Sequence, residues 1–252
     1  MSDKENTTVY VVTGGNRGLG NGLVRALLKR PDTTVIATVR NEESRQKMES
    51  EATNLEKGEN SKLHIVPLDL SRAPEPQDIR EAFKAVHVDH IDVLINNAGF
   101  AHPMIPIAQT TAADLRAAFE INAIAPLMVF QALWPLLQKA AAAPPKLIMV
   151  TSSVGSIAEM EPVPGGAYGP SRAAHNWITK ALHQENRDEK LIAIALHPGW
   201  VQTRMGQYAA DQWGFGKAPP VTVEESVRGM LKVIDEADEQ ASDVTSLPRG
   251  AK

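Results

Sequence analysis

Short apolar runs alternate along the chain with longer stretches of helical periodicity. The runs are rich in Val and Ile without polar alternation, which is typical of strands buried on both faces of a parallel sheet. Apolar residues three and four positions apart predict amphipathic helices in the intervals. The predicted strands are 9–13, 34–39, 63–68, 92–95, 147–151 and 191–196, and the predicted helices are 20–29, 76–85, 112–137, 168–186 and 223–237.

This alternation predicts an α/β fold in which a doubly wound parallel sheet has helices on both faces. Ligands of such sheets bind at the carboxyl ends of the strands. Neither an internal repeat nor a linker divides the chain, so residues 1–252 are predicted to form a single domain. Residues 239–252 have too little apolar content for a confident strand, which leaves the sheet with six or seven strands.

Residues 204–220 are predicted to be irregular and carry Tyr208, Trp213 and Phe215 among glycines. Long loops with aromatic residues at a ligand-binding edge often act as lids. The segment is therefore predicted to be either a substrate lid or a plain surface loop. Just beyond it, Thr222 and Glu225 have the spacing of a capping box, which predicts the start of the last helix.

The composition is that of an ordinary globular protein, with 43% hydrophobic and 22% charged residues. A net charge of −4 speaks against a nucleic-acid-binding protein. The chain has no cysteine and its histidines lack metal-ligand spacing, so neither a disulfide nor a metal site is expected. The N-terminus is polar, and the apolar stretch 121–143 is interrupted by polar residues and prolines. We therefore expect a cytoplasmic protein without a membrane span.

A glycine-rich loop lies directly between the first strand and the first helix. Its glycines allow a tight turn and let phosphates approach the backbone N–H groups of a helix N-terminus. Such a loop alone is a weak signal, but its place between a Val-rich strand and an amphipathic helix favours a dinucleotide site. The residues predicted to form this site are Gly14, Asn16, Arg17, Gly18, Leu19 and Gly20.

An arginine stands where an NAD-dependent enzyme would place an acid. The second strand ends in Val39-Arg40, and the first acid after it is Glu42. An acid at this place would bind the adenosine ribose, whereas Arg40 and Arg17 could bind a 2′-phosphate. The pattern favours NADP(H), unless Arg40 is simply a solvated strand end.

Tyr168 and Arg172 lie four residues apart and therefore share a face of the predicted helix. Free tyrosine ionises near pH ~10, so a fixed positive charge beside it makes it a more useful acid–base group at neutral pH. Arginine keeps its charge under ordinary conditions but cannot readily release a proton. The pair predicts a catalytic tyrosine with an electrostatic partner.

The Asn122 carbonyl is predicted to lack its usual helical partner. In a helix over residues 121–130 this carbonyl would accept the N–H of Pro126, which proline does not have. The carbonyl must therefore bind a water or a side chain. Arg172 is a candidate to reach it.

These motifs together resemble the short-chain dehydrogenase/reductase family, over nearly the whole chain to about residue 237. The stretches 152–157 and 197–203 resemble the fungal norsolorinic-acid-ketoreductase-like branch, which includes reductases of aromatic polyketide ketones. The resemblance implies a Rossmann fold and an NADP-dependent oxidoreductase of secondary metabolism. The matching motifs follow the family's order: the glycine loop, Asp69, Asn96-Asn97-Ala98-Gly99, Asn122, Ser152-Ser153, Tyr168 and Pro198-Gly199.

The resemblance also implies roles for single residues. Ser153, in preference to Ser152, would donate a hydrogen bond to the substrate carbonyl, although either hydroxyl could merely cap the strand end. Tyr168 would protonate the developing alkoxide, and a relay water would bind the Asn122 carbonyl. Contacts with the cofactor are implied for Asp69, Leu70, Asn96, Ala98, Gly99, Tyr168, Arg172, Pro198, Gly199, Val201 and Thr203.

One departure keeps three functions open, because Arg172 stands where the family usually has lysine. The first function is an NADPH-dependent ketoreductase with Asn122, Ser153, Tyr168 and Arg172 as catalytic residues. The second is a relative that binds NADP(H) but catalyses another biosynthetic step, such as cyclisation or epimerisation. The third is a non-catalytic NADP-binding protein. The presence of Ser153 and Tyr168 favours the first function, because a protein that only binds the cofactor needs neither.

A small ketone or alcohol is the expected partner of this site. The family resemblance further implies self-assembly through the two long helices, 112–137 and 168–186. We therefore expect a homodimer or a homotetramer.

Overall fold

The computed structural model describes residues 7–72, 74–141 and 143–238 and the backbone of 245–246. All strands run parallel in one sheet of order β3-β2-β1-β4-β5-β6-β7. The predicted doubly wound sheet is confirmed, and each predicted strand is displaced by no more than one residue. The strands are β1 (Thr8–Val12), β2 (Thr33–Val39), β3 (Lys62–Pro67), β4 (Val93–Asn96), β5 (Lys146–Val150), β6 (Ile192–His197) and β7 (Thr245–Ser246).

The last strand, β7, decides between six strands and seven. Its two residues pair with the end of β6, Leu196 with Thr245 and His197 with Ser246. The other residues of the segment 239–252, and residues 1–6, lie outside the described part of the chain.

The helices cover both faces of the sheet, as predicted. One core cluster packs α3 and α5 against the sheet through residues such as Phe83 and Leu133. The other packs α1 and α8 against the opposite face, with Leu27 and Met230 fully buried. The helices are α1 (Gly18–Leu28), α2 (Glu42–Ala52), α3 (Pro76–Lys84), α4 (Ala112–Phe119), α5 (Ala125–Leu137), α6 (Tyr168–Glu185), α7 (Arg204–Gln212) and α8 (Val223–Glu236).

The start of α8 confirms the predicted capping box. The Thr222 hydroxyl accepts the Glu225 N–H at 3.2 Å, and the Glu225 carboxylate accepts the Thr222 N–H at 3.0 Å. Two backbone N–H groups that a helix start leaves unpaired are satisfied in this way. The same device begins α4, with Thr111 and Asp114.

The long predicted helix over 112–137 contains a π-helical turn, Glu120–Ile124, between α4 and α5. The turn arises because Pro126 has no N–H to continue the regular ladder, so the Ala125 N–H bonds to the Glu120 carbonyl five residues back. In the described part of the chain, Ala112–Leu137 is the one helix long and apolar enough to cross a membrane. Half of its most apolar window is buried, and α5 packs into the core as predicted.

The prediction of an irregular segment over 204–220 is wrong in its first half, where α7 forms. The Thr203 hydroxyl accepts the Gly206 N–H at 3.0 Å and begins the helix. Gly206 obscured the helix in the sequence, because glycine is a poor helix former. The structure requires it, since a Cβ there would lie 2.0 Å from the Val201 carbonyl oxygen.

Candidate active site

The predicted functional residues gather at the carboxyl ends of β1, β4, β5 and β6. The glycine loop follows β1, the Asn-Asn-Ala-Gly turn follows β4, and the serine pair follows β5. The start of α6, with Tyr168, packs directly on the serine turn, where a Cβ on Gly169 would lie 3.4 Å from the Val154 carbonyl oxygen. The parallel sheet thus brings together motifs far apart in the sequence.

The glycine loop needs its glycines for two different reasons. Gly14 and Gly18 have φ angles of 67° and 53°, in the left-handed region that favours glycine. Gly20 has an ordinary φ, but a Cβ on it would lie 2.2 Å from the Gly14 carbonyl oxygen. Helix α1 can therefore start close against the loop, and its first-turn N–H groups have no side-chain cap. This cradle fits the pyrophosphate of a dinucleotide.

A pair of side chains that was not predicted to belong to the site ties the loop to β4. The Thr13 hydroxyl accepts the N–H groups of Asn97 and Ala98, at 2.9 and 3.0 Å. In return the Asn97 amide donates to the Thr13 carbonyl at 2.9 Å. The signal in the sequence was the Asn-Asn-Ala-Gly motif itself, whose second asparagine had no assigned role.

Three arginines surround the loop from different elements: Arg17 before α1, Arg40 after β2 and Arg204 at the start of α7. Burial lowers the pKa of Arg17, and the positive charges of Arg204 and Arg40 lower it further. None of the three forms an ion pair with a carboxylate within the described ranges. The cluster fits phosphate groups, and Arg204 is the member that sequence reasoning missed.

Asp69 lies near Arg40 of this cluster, and its pKa is lowered there. Its carboxylate accepts both the N–H and the hydroxyl of Ser71, at 2.9 and 2.6 Å. These hydrogen bonds, the charge of Arg40 and the charge of Arg72 lower the pKa of Asp69. The side chain of the neighbouring Leu70 is buried in the core, so only its backbone can face a ligand, as expected.

Asn96 does not present its side chain to a cofactor. The side chain is buried, and its amide donates to the Pro126 carbonyl at 3.1 Å and contacts the Met149 sulfur at 3.3 Å. The predicted cofactor contact can therefore come from its backbone alone. The physical reason is the strand pleat, which directs Asn96 towards α5.

The two serines after β5 have different surroundings. The Ser152 hydroxyl accepts the Val154 N–H at 3.3 Å and caps the short turn Ser153–Gly155. The Ser153 N–H is held by His197 Nδ1 at 3.2 Å, while the Ser153 hydroxyl has no hydrogen bond with the described residues. This difference favours Ser153 as the donor to a substrate.

Tyr168 and Arg172 lie one turn apart on α6, as predicted. The guanidinium carbon is 5.1 Å from the centre of the tyrosine ring, within the range of a cation–π contact. Arg172 is only 3% exposed, and its Nη1 donates to the Val150 carbonyl at 3.0 Å. No carboxylate within the described residues neutralises this charge. The tyrosine therefore has a buried, permanent cation beside it.

Two glycines make room for the arginine. A Cβ on Gly99 would lie 2.3 Å from Arg172 Nη2, and a Cβ on Gly155 would lie 2.6 Å from Arg172 Cβ. The Asn-Asn-Ala-Gly turn thus contacts the guanidinium, and the serine turn contacts the helix backbone beside it. The site is assembled around Arg172.

The Asn122 carbonyl has a side-chain partner, as its sequence predicted, but the partner is not Arg172. His175 Nδ1 lies 2.5 Å from this carbonyl oxygen and takes the place where a relay water was implied. Burial lowers the pKa of His175 to about 3, and the positive charge of Arg172 contributes to this effect. The imidazole is therefore neutral, and it donates from Nδ1 because a carbonyl can only accept.

A small apolar cluster includes Tyr168. It contains Ala101, Met104 and Ala209, with Val154, Met205, Tyr208 and Trp213 packed around it. His102 stacks on Tyr208 with ring centres 3.8 Å apart, and the Trp213 indole donates to the Pro164 carbonyl at 3.2 Å. Helix α7 is in this way held against the loops that follow β4 and β5.

The turn after β6 requires its glycine and is tied to α8. Gly199 has a φ of 83°, and the Pro198 carbonyl accepts the Ser226 hydroxyl at 2.7 Å. Val201 forms a parallel β-bridge with Val221. The Thr203 side chain lies close to Gly18: a Cβ added to Gly18 would be 3.4 Å from the Thr203 methyl group. Thr203 therefore brings the start of α7 next to the glycine loop.

Comparison with known proteins agrees with this geometry. A family model described as short chain dehydrogenase matches residues 8–213. A norsolorinic acid ketoreductase of Dothistroma septosporum is 37% identical over 239 residues, which are 93% of this chain and 87% of that protein. A short-chain dehydrogenase of Neurospora crassa is 37% identical over 232 residues, 91% of this chain and 90% of that protein.

Solved structures of related proteins share the whole fold. The NADPH-bound carbonyl reductase from chicken fatty liver has a TM-score of 0.79 at 32% identity, covering 96% of each chain. The carbonyl reductase Sniffer of D. melanogaster has a TM-score of 0.81 at 29% identity, covering 96% of this chain and 97% of that one. The chain belongs to the short-chain dehydrogenase family, as the order of its motifs predicted.

Proposed function

We propose that this protein is an NADPH-dependent ketoreductase, which reduces a carbonyl group to an alcohol. The observation that carries the proposal is the setting of Tyr168. Its ring packs into a small apolar cluster, and the buried Arg172 guanidinium lies over its face at 5.1 Å. A buried cation stabilises the negative charge that a proton donor acquires during the reaction.

In the proposed mechanism, Ser153 donates a hydrogen bond to the substrate carbonyl oxygen and Tyr168 transfers its proton to the same oxygen. NADPH, when bound, would supply the hydride for the carbonyl carbon. The carbon–oxygen double bond becomes a single bond, and the tyrosinate left behind regains a proton from solvent. Arg172 remains charged throughout and holds the developing negative charge.

Cofactor selection is proposed to rest on Arg17 and Arg40. Both are exposed and lie near each other, and both lack a carboxylate ion pair in the described part of the chain. Unpaired guanidinium groups suit the 2′-phosphate that distinguishes NADP(H) from NAD(H). The NADPH bound by the chicken carbonyl reductase supports this choice.

The substrate is proposed to be an aromatic or polycyclic ketone of secondary metabolism, covered by a lid over residues 204–220. Met104, Val154 and Met205 offer apolar surface beside Tyr168, and Tyr208 and Trp213 add aromatic faces. Flat apolar rings pack well on such a wall. The similarity to norsolorinic acid ketoreductases supports the same class.

A specific observation favours a second candidate function. Arg172 is bound to the Val150 carbonyl, and the Asn122 carbonyl is occupied by His175, so the proton path differs from the one implied by the family. A cofactor-binding relative that catalyses cyclisation or epimerisation, or one that only binds NADP(H), would tolerate this change. The second candidate differs from the first in that it would not reduce ketones with NADPH.

The decisive experiment follows the absorbance of NADPH in the presence of a panel of aryl ketones and quinones. We expect turnover with some of them, and a loss of roughly 10²-fold or more in kcat for Tyr168→Phe, because the proton donor is removed. Tyr10→Phe, a core tyrosine bonded to Arg30, is the matched control and should keep full activity. Full activity of Tyr168→Phe would overturn the mechanism.

A second variant tests the role of Arg172. Arg172→Lys keeps the charge but replaces the planar guanidinium, which donates to the Val150 carbonyl, with a single ammonium group. A rise in kcat would identify the arginine as a tolerated impairment, and a collapse would show that the site is built around the guanidinium. If the protein binds NADPH but reduces no ketone in the panel, the second candidate function is favoured over the first.

A further inference from the structure

His175 is a buried titratable group that the proposed mechanism does not use. It lies on α6, one turn beyond Arg172, and is fully buried like Asn122. Its Nδ1 bonds to the Asn122 carbonyl, whereas no hydrogen bond of normal geometry reaches its Nε2 in the described structure. The Met149 backbone also faces the imidazole, but without a hydrogen bond of normal geometry. A histidine buried in this way calls for a reason beyond packing.

The reason lies in what Asn122 connects. Its side-chain oxygen accepts the Phe100 N–H at 2.8 Å, and its amide donates to the Phe100 carbonyl at 2.7 Å. The same amide donates to the Ser171 hydroxyl at 2.9 Å, which in turn donates to the Tyr168 carbonyl at 2.7 Å. One asparagine thus joins the turn after β4 to the helix that carries the tyrosine.

The backbone carbonyl of Asn122 lacks its usual helical hydrogen bond. The π-helical turn Glu120–Ile124 leaves the Asn122 carbonyl without the N–H of Pro126. The carbonyl therefore needs a partner from outside the turn, and His175 supplies it from α6. The carbonyl and the side chain of Asn122 are therefore both fixed to α6, through His175 and Ser171.

We propose that His175 is a positioning residue of the active site: by donating from Nδ1 to the Asn122 carbonyl, it fixes the π-helical turn and, through Asn122, the placement of Gly99–Phe100 against Tyr168 and Arg172. The effect on catalysis rests on the proposed ketoreductase function. The structural part does not, and it can be tested separately.

The kinetic test compares two replacements of similar size. His175→Asn keeps an N–H donor at the place of Nδ1, whereas His175→Leu removes it. We expect kcat for the best ketone to fall about tenfold in His175→Leu, because small displacements of reacting groups are costly. In His175→Asn we expect kcat within about threefold of the natural enzyme, and in both variants an NADPH Kd changed by less than about threefold.

His183 provides a matched control on the same helix. It is also buried, and it accepts the Ala193 N–H at the amino-terminal half of β6, away from Tyr168. His183→Leu should lower stability and leave kcat per folded molecule unchanged. If His175→Leu behaves in the same way, or if His175→Asn loses as much kcat as His175→Leu, the positioning role is overturned.

A second measurement needs no turnover. Long-range ¹⁵N NMR of the natural protein should show a neutral His175 with its proton on Nδ1, and a proton on Nε2 would overturn the proposal. Hydrogen exchange of the Phe100 N–H should be faster in His175→Leu and remain slow in His175→Asn. Equal exchange in the two variants would also overturn it. If the natural protein reduces no ketone, the proposed function fails while these two readouts still decide the role of His175.

Discussion

At the scale of single residues, the chemistry of the site depends on charges that have no opposite charge beside them. Arg172 is buried between the ring of Tyr168 and the Val150 carbonyl, and it meets no carboxylate among the described residues. Arg17 and Arg40 cluster at the glycine loop, where both are exposed and neither forms an ion pair among the described residues, although the charge of Arg40 acts on Asp69. A buried or clustered cation without a partner is unfavourable in itself, and a ligand or a reacting group that becomes negative relieves this cost.

The clustered arginines lead to a prediction about the cofactor. Arg40→Ala should raise the Kd for NADPH about tenfold or more and leave the Kd for NADH nearly unchanged, because only NADPH carries the 2′-phosphate. Fluorescence titration at fixed salt measures both constants. Arg25→Ala, an exposed position on α1, removes the same charge and should change neither. An equal rise in the Kd for NADPH and for NADH would show that Arg40 does not bind the 2′-phosphate.

The buried histidine leads to a prediction about acid stability. The pKa of His175 is about 3 in the folded protein and about 6.5 when the chain is unfolded. Between these values the unfolded state binds the extra proton, so the free energy of unfolding falls as the pH falls below 6.5. Arg172 is the charged group that disfavours protonation in the fold.

Between pH 7 and pH 4, the titration of His175 should lower the free energy of unfolding by on the order of 3 kcal/mol. His175→Asn does not titrate, so its free energy of unfolding should fall by about that much less over the same range. Urea unfolding at several pH values gives the comparison. His64 and His183, whose pKa values are also lowered by burial, are present in both proteins and cancel. Parallel pH profiles would contradict the buried, neutral His175.

At the scale of secondary-structure elements, the site depends on close approach. The serine turn Ser153–Gly155 packs on α6 without a side chain between them, because a Cβ on Gly155 would lie 2.6 Å from Arg172 Cβ and 2.8 Å from its backbone carbon. Helix α1 approaches the glycine loop in the same way through Gly20. These contacts hold Ser153, Tyr168 and the cofactor loop at short range.

Gly155→Ala should therefore separate the serine turn from α6. We expect it to lower the free energy of unfolding by about 1–3 kcal/mol, as overpacking does, and to lower kcat further than stability alone explains. Gly169→Ala is the matched control across the same contact, since its Cβ would meet the Val154 carbonyl at an ordinary 3.4 Å. Thermal unfolding and ketone reduction measure the two effects. Normal stability and kcat in Gly155→Ala would show that the turn can move without consequence.

At the scale of the whole molecule, the helices beside the site leave apolar residues uncovered. Trp177 on α6 is 72% exposed, and Ile124 at the junction of α4 and α5 is 41% exposed. Large exposed apolar side chains on long helices are typical of interfaces between subunits. We propose that two copies of this chain meet through these helices.

Trp177→Glu should convert the dimer, or a tetramer built from it, into smaller species, because a charge at the centre of an apolar interface is strongly unfavourable. Light scattering coupled to size exclusion gives the mass. Ile107→Glu changes another exposed apolar residue, 61% exposed and on a different element, and should leave the mass unchanged. A natural protein that is already monomeric would refute the interface.

The sequence by itself determined the sheet, most of its helices and the motifs that meet at the carboxyl ends of the strands. Strand runs of Val and Ile, the Thr222–Glu225 capping box and the spacing of Tyr168 and Arg172 are local patterns, and local physics governs them. Even the unpaired Asn122 carbonyl follows from Pro126 four residues on. Helix α7 was missed because Gly206 weakens the local helical signal, while its need for close approach to Val201 is a tertiary fact.

Only the tertiary structure decided which groups meet. His175 binds the Asn122 carbonyl across 53 residues of sequence, and Arg172 turns to the Val150 carbonyl 22 residues away. Asn96 faces the core, Arg204 approaches Arg17, and Ser153 keeps its hydroxyl unbonded among the described residues while Ser152 caps the turn. Spacing along a helix or strand is set by backbone geometry, but contact between distant segments is set by packing, which no local pattern records.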